Sequence, residues 1–413
     1  MTAPEQQPVT LMLLEGQSEA LGPNAGGQTG PDGTTKLRTL FTSPDVLMFA
    51  GLKRADGASI TSASMPLLGG YDQAVDATGV MPSTGTGNIP MGLVSAIALK
   101  EAGLIATDKV LFHFGGAGGQ EVLTFDDDPT TGLTDSRAMA LWGNAEFIAK
   151  QAAKAYGVGN VHLPYFGWHQ GAGDRLLARN EYKARFDVMI EDRLAMYRTV
   201  LGLAADPRLM MYQSATSPQP GSPCAMVFDQ LDIIRARSGV LVAPSYGIKW
   251  NTSDDHPSVR GWLIQSLLFA WAAETPNNWN LLPPVSAPMS NGQIEIPISV
   301  RSDETLLADV GRFADYGGDP AHLGLKAVGG GSIGEVTVQA DRLIVGTTGT
   351  ITAIQYAHHL MNAGPHTVTP DAAGDYYLNS RGNLRTSLTR AVNFRGYNLT
   401  LERWVPRFEV LVE

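Results

Sequence analysis

The first two-thirds of the chain alternates short apolar runs with longer stretches in which apolar residues recur at helical spacing. The short runs fall at 10–14, 45–50, 109–114, 161–166, 209–212 and 240–243. Each is bounded by turn residues, the signature of strands buried on both faces. Helical spacing marks 136–156, 181–203, 225–237 and 257–274. Pro257 suits a first helical turn, where its missing N–H costs nothing. The alternation predicts a parallel sheet covered on both faces, a three-layer α/β/α arrangement.

The pattern changes near Leu281. Residues 282–291 are rich in Pro and Ser and read as a linker. Beyond them, strand-like alternation at 293–300, 334–338, 342–345, 351–356 and 408–412 is punctuated by Gly-rich turns. This predicts a smaller, β-rich, sandwich-like C-terminal domain, and divides the chain into 1–281 and 282–413. Two long loops, 22–35 and 69–88, are rich in Gly, Thr and Pro, and such loops often border a site. There is no repeat of the period that marks a solenoid.

Composition narrows the classes. Of 413 residues, 44% are hydrophobic and 17% charged, enough apolar surface for a sizeable core. Lys plus Arg is 30 and Asp plus Glu is 40, so the net charge is 30 − 40 = −10. With no long basic run, nucleic acid is not an expected partner. The single cysteine, Cys224, allows no intrachain disulfide and no Cys-rich zinc site. The N-terminus has no signal-peptide pattern, and no apolar run is long enough to span a bilayer. The expectation is a protein made in the cytoplasm, without membrane insertion.

Ligands in open α/β sheets bind outside the carboxyl ends of the strands. The first predicted strand is followed by E-G-Q-S-E-A, which contains Ser18. The third is followed by G-G-A-G-G-Q-E (115–121), the fourth by G-W-H-Q-G-A-G-D (167–174), and the last helix is preceded by S-D-D-H-P-S (253–258). Alone, Ser18 would read as a helix N-cap. Together these blocks hold a hydroxyl, a flexible Gly turn, a neutral amide and an Asp/His pair, the inventory of a serine hydrolase.

The same blocks carry a resemblance. G-Q-S-E-A resembles the first block of the SGNH hydrolases in their sialate and carbohydrate O-acetylesterase branch. W-H-Q-G-A-G-D is similar to that branch's W-x-Q-G-E-S-D block, and D-D-H-P to its late D-x-H-P block. The likeness spans about residues 10–274, in the family's order. It implies a serine ester hydrolase removing O-acetyl groups from carbohydrate through an acetyl-enzyme. By the same resemblance, Ser18 would be the nucleophile, His256 the base, and Asp254, or alternatively Asp255, its orienting carboxylate. The oxyanion would be held by the Ser18 N–H, a backbone N–H at Gly118 or Gly119, and the Gln170 amide. Trp168 and His169 are candidate substrate contacts, with core or pocket wall the plainer reading for Trp168 and a structural role the alternative for His169. No cofactor and no metal are implied. The implied partner is an O-acetylated glycan or cell-surface polysaccharide.

Glu19 stands where the branch usually has Asn, and Ala172 where it has Glu. These departures keep a second reading in view, a glycan-binding fibre or spike component of a phage or phage-like particle with weak or no esterase activity. It would be virion-associated, in contact with virion proteins or with copies of itself. Other features have plainer readings. Asp174 is expected to tie down its own loop. Gly329, Gly331 and Gly334 precede a strand-like segment and read as a turn, without the helix a dinucleotide site needs. His358 and His359 are adjacent, poor geometry for one metal. Cys224 is expected to be packed. Tyr376, Tyr377, Tyr397 and Trp404 are candidates for sugar stacking, with packing the plainer role.

Overall fold

The computed structural model describes residues 7–17, 20, 22, 29–35, 37–41, 43–49, 74–76, 89–116, 121–125, 136–216, 218, 221–248, 256–310, 322–358 and 382–413. Its first part is an α/β unit. The strands are β1 (Val9–Gly16), β2 (Val46–Phe49), β3 (Ala74–Asp76), β4 (Lys109–Gly116), β5 (Val161–His162), β6 (Tyr165–His169), β7 (Arg208–Gln213) and β8 (Val240–Pro244). The helices that cover them are α1 (Met91–Glu101), α2 (Ser136–Tyr156), α3 (Glu181–Leu201), α4 (Met226–Ala236) and α5 (Val259–Glu274). The sheet runs β3-β2-β4-β1-β6-β7-β8, with β5 beside the start of β1. All of its pairings are parallel except β2 with β3.

The layers follow from side-chain alternation along the buried strands. On β1, Val9, Leu11 and Leu13 join a core cluster with α2, α3 and α4. Met12 and Leu14 face the other way, into a cluster with α1 and α5. The three-layer α/β/α expectation is therefore what the chain builds.

Local differences have local causes. The run 161–166 is two strands, because Pro164 has no N–H to donate to a ladder. Strand β6 then continues to His169, so Gly167, Trp168 and His169 belong to the sheet and Gln170 is the first residue beyond it. Helix α5 starts two residues later than the pattern suggests. Ser258 is its N-cap, with its hydroxyl accepting from the Gly261 N–H at 3.2 Å, and Pro257 lies outside. Helix α1 escaped the periodicity reading because Met91 to Leu99 are all buried, leaving no polar face to define a stripe.

The remainder is β-rich: β9 (Ser286–Ala287), β10 (Met289–Ser290), β11 (Gln293–Pro297), β12 (Leu306–Ala308), β13 (Leu325–Gly329), β14 (Ser332–Val338), β15 (Arg342–Thr348), β16 (Ile351–Tyr356), β17 (Leu384–Phe394), β18 (Tyr397–Trp404) and β19 (Phe408–Val412). These form three sheets, ordered β10-β11-β15-β14, β12-β17-β18 and β13-β16-β19-β9. The β17–β18 hairpin, which the sequence pattern did not mark, turns at Arg395 and Gly396, both at positive φ. Its partner strand β18 packs on α5.

Polar anchors join the β sheets to the α/β unit. The Gln213 side chain accepts from the Arg407 N–H at 2.8 Å and donates to the Arg407 carbonyl at 2.9 Å. The buried Arg407 guanidinium donates to the carbonyls of Ala215, at 2.8 Å, and Thr216. Tyr246 donates its hydroxyl to the Val405 carbonyl, and Arg403 bridges Glu304 and the Trp279 carbonyl.

Candidate active site

Strand β1 sits between β4 and β6, so the carboxyl ends of these three strands are neighbours. Their last residues form one row: Gly16 pairs with Gly116 on one side and with His169 on the other. The chain leaves β1 toward the α1/α5 layer, where Ala20, Leu37 and Phe41 are buried. It leaves β4 toward the α2/α3 layer, where Val122 and Phe125 are buried. Neighbouring strands whose connections depart to opposite faces leave a crevice at their carboxyl ends. In sequence, Ser18 comes two residues after Gly16, Gly118 two after Gly116, and Gln170 one after His169.

The contact between β1 and β6 is close. Gly16 has φ +148°, and a Cβ there would lie 2.0 Å from the His169 carbonyl oxygen. The next N–H, of Gln17, donates to that same oxygen at 3.0 Å. The Gln17 side chain in turn accepts from the Gly173 N–H at 3.1 Å. Two bonds thus lock the residue before Ser18 to the loop that carries Gln170.

Gln170 is buried and held from several sides. Its Nε2 donates to Asp174 Oδ2 at 2.5 Å. Its carbonyl accepts from Gln230 Nε2 at 2.7 Å, and Gln230 Oε1 accepts from the Ser214 N–H at 3.0 Å. Ala172 offers no polar side chain to this loop; Asp174, Gln230 and Gln17 hold it. Asp174 Oδ2 also accepts from the Val122 N–H at 2.8 Å, the first residue of the short helical turn Val122–Phe125. Burial pushes the Asp174 carboxyl up to about 6, against its bonds to Gln170 and Val122.

Below the row lies a buried polar cluster on the α3 side. Glu15 Oε2 is 3.4 Å from Arg193 Nη2, and Tyr197 donates to Glu15 Oε1 at 3.4 Å. Burial raises the Glu15 carboxyl, with Arg193 and Tyr197 opposing. His113, on the same face of β4, is held neutral, its pKa pushed down to about 3 by burial and then by Arg193.

Trp168 and His169 are corrected by the structure. They are 0% and 1% exposed and are core side chains, not substrate contacts. Trp168 packs edge-on against Phe125 at 5.0 Å and Phe186 at 5.5 Å, and its Nε1 donates to the Tyr182 hydroxyl at 2.9 Å. His169 lies 4.7 Å from the Tyr212 ring and bonds Ser245 at 3.1 Å. Their strand position explains both: β6 is internal, so each of its faces meets a helical layer. Tyr397 and Trp404 are also buried, in packing roles.

His256 is half-buried on the segment leading from β8 into α5. That helix packs against the segment after Gly16: a Cβ on Gly22 would lie 2.7 Å from Trp262 Nε1. Ser18, Gly118, Gly119, Asp254 and Asp255 lie outside the described residues, as do Tyr376 and Tyr377. A cavity of about 220 Å³ at the seam of β8, α5 and β18 is lined by Pro244, Arg260, Ile264, Asn398, Glu402 and Trp404 among the described residues. It does not include Gln170 or His256.

Among solved structures, the chain is similar to a novel carbohydrate acetylesterase from Xanthomonas citri. The TM-score is 0.52 at 13% identity, over 97% of this chain and 80% of that one. The two chains share a fold. A protein from Arabidopsis thaliana aligns at TM-score 0.44 and 16% identity, over 66% of this chain and 99% of that one. No protein-family model matches the chain, and no curated protein does.

Three site features were not assigned a role from sequence: Gln17, Gln230 and the grip of Asp174 on Gln170. Gln230 left a signal, since it interrupts the apolar stripe of α4 between Phe228 and Leu231. A polar residue in a buried stripe needs a partner. Which partner depends on strand order, which periodicity does not encode.

Proposed function

We propose that this chain is a serine ester hydrolase that removes O-acetyl groups from carbohydrate. The observation that carries the reading is the lock between the two loops. Gln17 donates its N–H to the His169 carbonyl, which sets the residue before Ser18 beside the residue before Gln170. A nucleophile and a neutral amide donor on adjacent strand ends are what acyl transfer needs. The fold shared with the Xanthomonas citri acetylesterase supports the same reaction class and a carbohydrate ester as its substrate.

In this reading Ser18 Oγ attacks the acetyl carbonyl carbon while His256 takes the hydroxyl proton. Asp254 or Asp255 orients the imidazole. The carbonyl oxygen, now an oxyanion, receives the Ser18 N–H, an N–H at Gly118 or Gly119, and the Gln170 amide. Collapse breaks the bond to the sugar oxygen, which takes the proton from His256. Water then gives a proton to His256 and attacks the acetyl-enzyme. Acetate leaves, and Ser18 regains its proton. Gln170 suits its role because a carboxamide donates without titrating.

The test is hydrolysis of p-nitrophenyl acetate and of an O-acetylated polysaccharide by wild type and Ser18→Ala in parallel. The expected result is acetate release that disappears in the variant. Equal rates in the two folded proteins would overturn the proposal.

A further inference from the structure

We propose that Asp174 is a positioning residue of the oxyanion site: it fixes the orientation of the Gln170 amide and couples that amide to the turn after β4. The inference rests on the esterase reading above.

The geometry is specific. One carboxylate oxygen, Asp174 Oδ2, accepts both Gln170 Nε2 at 2.5 Å and the Val122 N–H at 2.8 Å. A carboxylate only accepts, so it selects the NH₂ end of the carboxamide and turns the carbonyl end away. In the esterase reading, that NH₂ is the group the oxyanion would meet. With the two ends exchanged, an oxygen would face the oxyanion and repel it. The Val122 bond extends the hold to the residue that opens Val122–Phe125, just beyond 117–120 in sequence. Asp174 thus holds both Gln170 and the turn that follows 117–120 in the chain.

The surroundings keep the carboxylate in place. Arg185 Nη1, from α3, is 3.9 Å from Asp174 Oδ1. Glu121 opposes the charge, Arg185 favours it, and the neutral Tyr182 of α3 lies nearby. Asp174 is 2% exposed, so its reach is confined to these neighbours. The competing role is a tie for its own loop, without effect on the amide.

Double-mutant kinetics separate the two. Gln170→Ala, Asp174→Ala, their combination and Asp174→Asn are assayed on p-nitrophenyl acetate with Ser18→Ala as the blank, and thermal unfolding checks each fold. Removing an oxyanion donor costs roughly 10²–10³ in kcat. Asp174→Ala is expected to lower kcat about 10–100-fold with KM little changed. Asp174→Asn keeps an acceptor oxygen and is expected to recover about tenfold of that loss. The double variant is expected within about threefold of Gln170→Ala alone, because one interaction is being removed twice. Losses that multiply, or an Asp174→Ala enzyme with wild-type kcat and a lower Tm, would overturn the proposal.

Absence of any Ser18-dependent turnover would overturn the esterase reading, and NMR then decides the positioning claim. The Gln170 side-chain NH₂ signals, identified by their loss in Gln170→Ala, are followed with pH in wild type and in Asp174→Asn. A titration present in wild type and absent in Asp174→Asn is expected. Signals that ignore both pH and the substitution would refute the coupling.

Discussion

Replacing Gly16 by Ala tests the closest contact in the candidate site. The added Cβ would sit 2.0 Å from the His169 carbonyl oxygen and 2.6 Å from its carbon, at a φ of +148°. That backbone region is essentially restricted to Gly and costs a side chain about 1–3 kcal/mol. Relieving the overlap means parting the ends of β1 and β6 by more than an ångström. This breaks the Gln17–His169 bond, now 3.0 Å, between two buried residues. Such a loss costs about 1–3 kcal/mol. The expected destabilisation is therefore about 2–6 kcal/mol. Unfolding entropy of about 2.1 cal/mol/K per residue over 413 residues converts this to a fall in Tm of roughly 2–7 °C. The assays are urea unfolding and calorimetry, with Gly103→Ala as control. Gly103 has φ +70° and nothing within 4 Å of an added Cβ, so it reports backbone strain without a clash. Gly16→Ala no more damaging than the control would refute the account of the β1–β6 junction. In the enzyme reading, the folded variant also loses more than tenfold in Ser18-dependent turnover.

Two further predictions concern stability. Trp168→Ala removes a ring that is 0% exposed and should cost about 3–5 kcal/mol in urea unfolding; a change confined to KM would restore Trp168 as a substrate contact. Arg407→Ala deprives the carbonyls of Ala215 and Thr216 of their donor at the junction with the β sheets, and should cost about 2–4 kcal/mol with faster proteolysis around 214–221, whereas an unchanged unfolding curve would mean the junction is held elsewhere.

Elements with a clear period were legible. Helix α2 spans 136–156 as the apolar stripe predicts, and β16 and β19 match their alternation. Elements without a polar face, or with polar residues on both faces, were not. Helix α1 is buried nearly throughout, and β17 mixes Arg, Thr, Ser and Asn with few buried positions, so neither carries a moment to read. The 161–166 run misled because one strand interrupted by Pro164 and two strands have the same apolar content. That error placed Trp168 and His169 in a loop, where exposure would be natural, instead of inside β6.

By itself the sequence determined the layered α/β class, the β-rich tail, and the inventory of Ser18, Gln170 and His256 in chain order. Helix and strand periods are set between near neighbours, so one sequence suffices to read them. Only the tertiary structure decided that β1 lies between β4 and β6, which aligns Gly16, Gly116 and His169 in one row. It alone decided that Asp174 reaches both Gln170 and Val122. Those facts depend on pairings between distant segments, whose energies belong to the packed ensemble of strands and helices and to no stretch of chain taken alone.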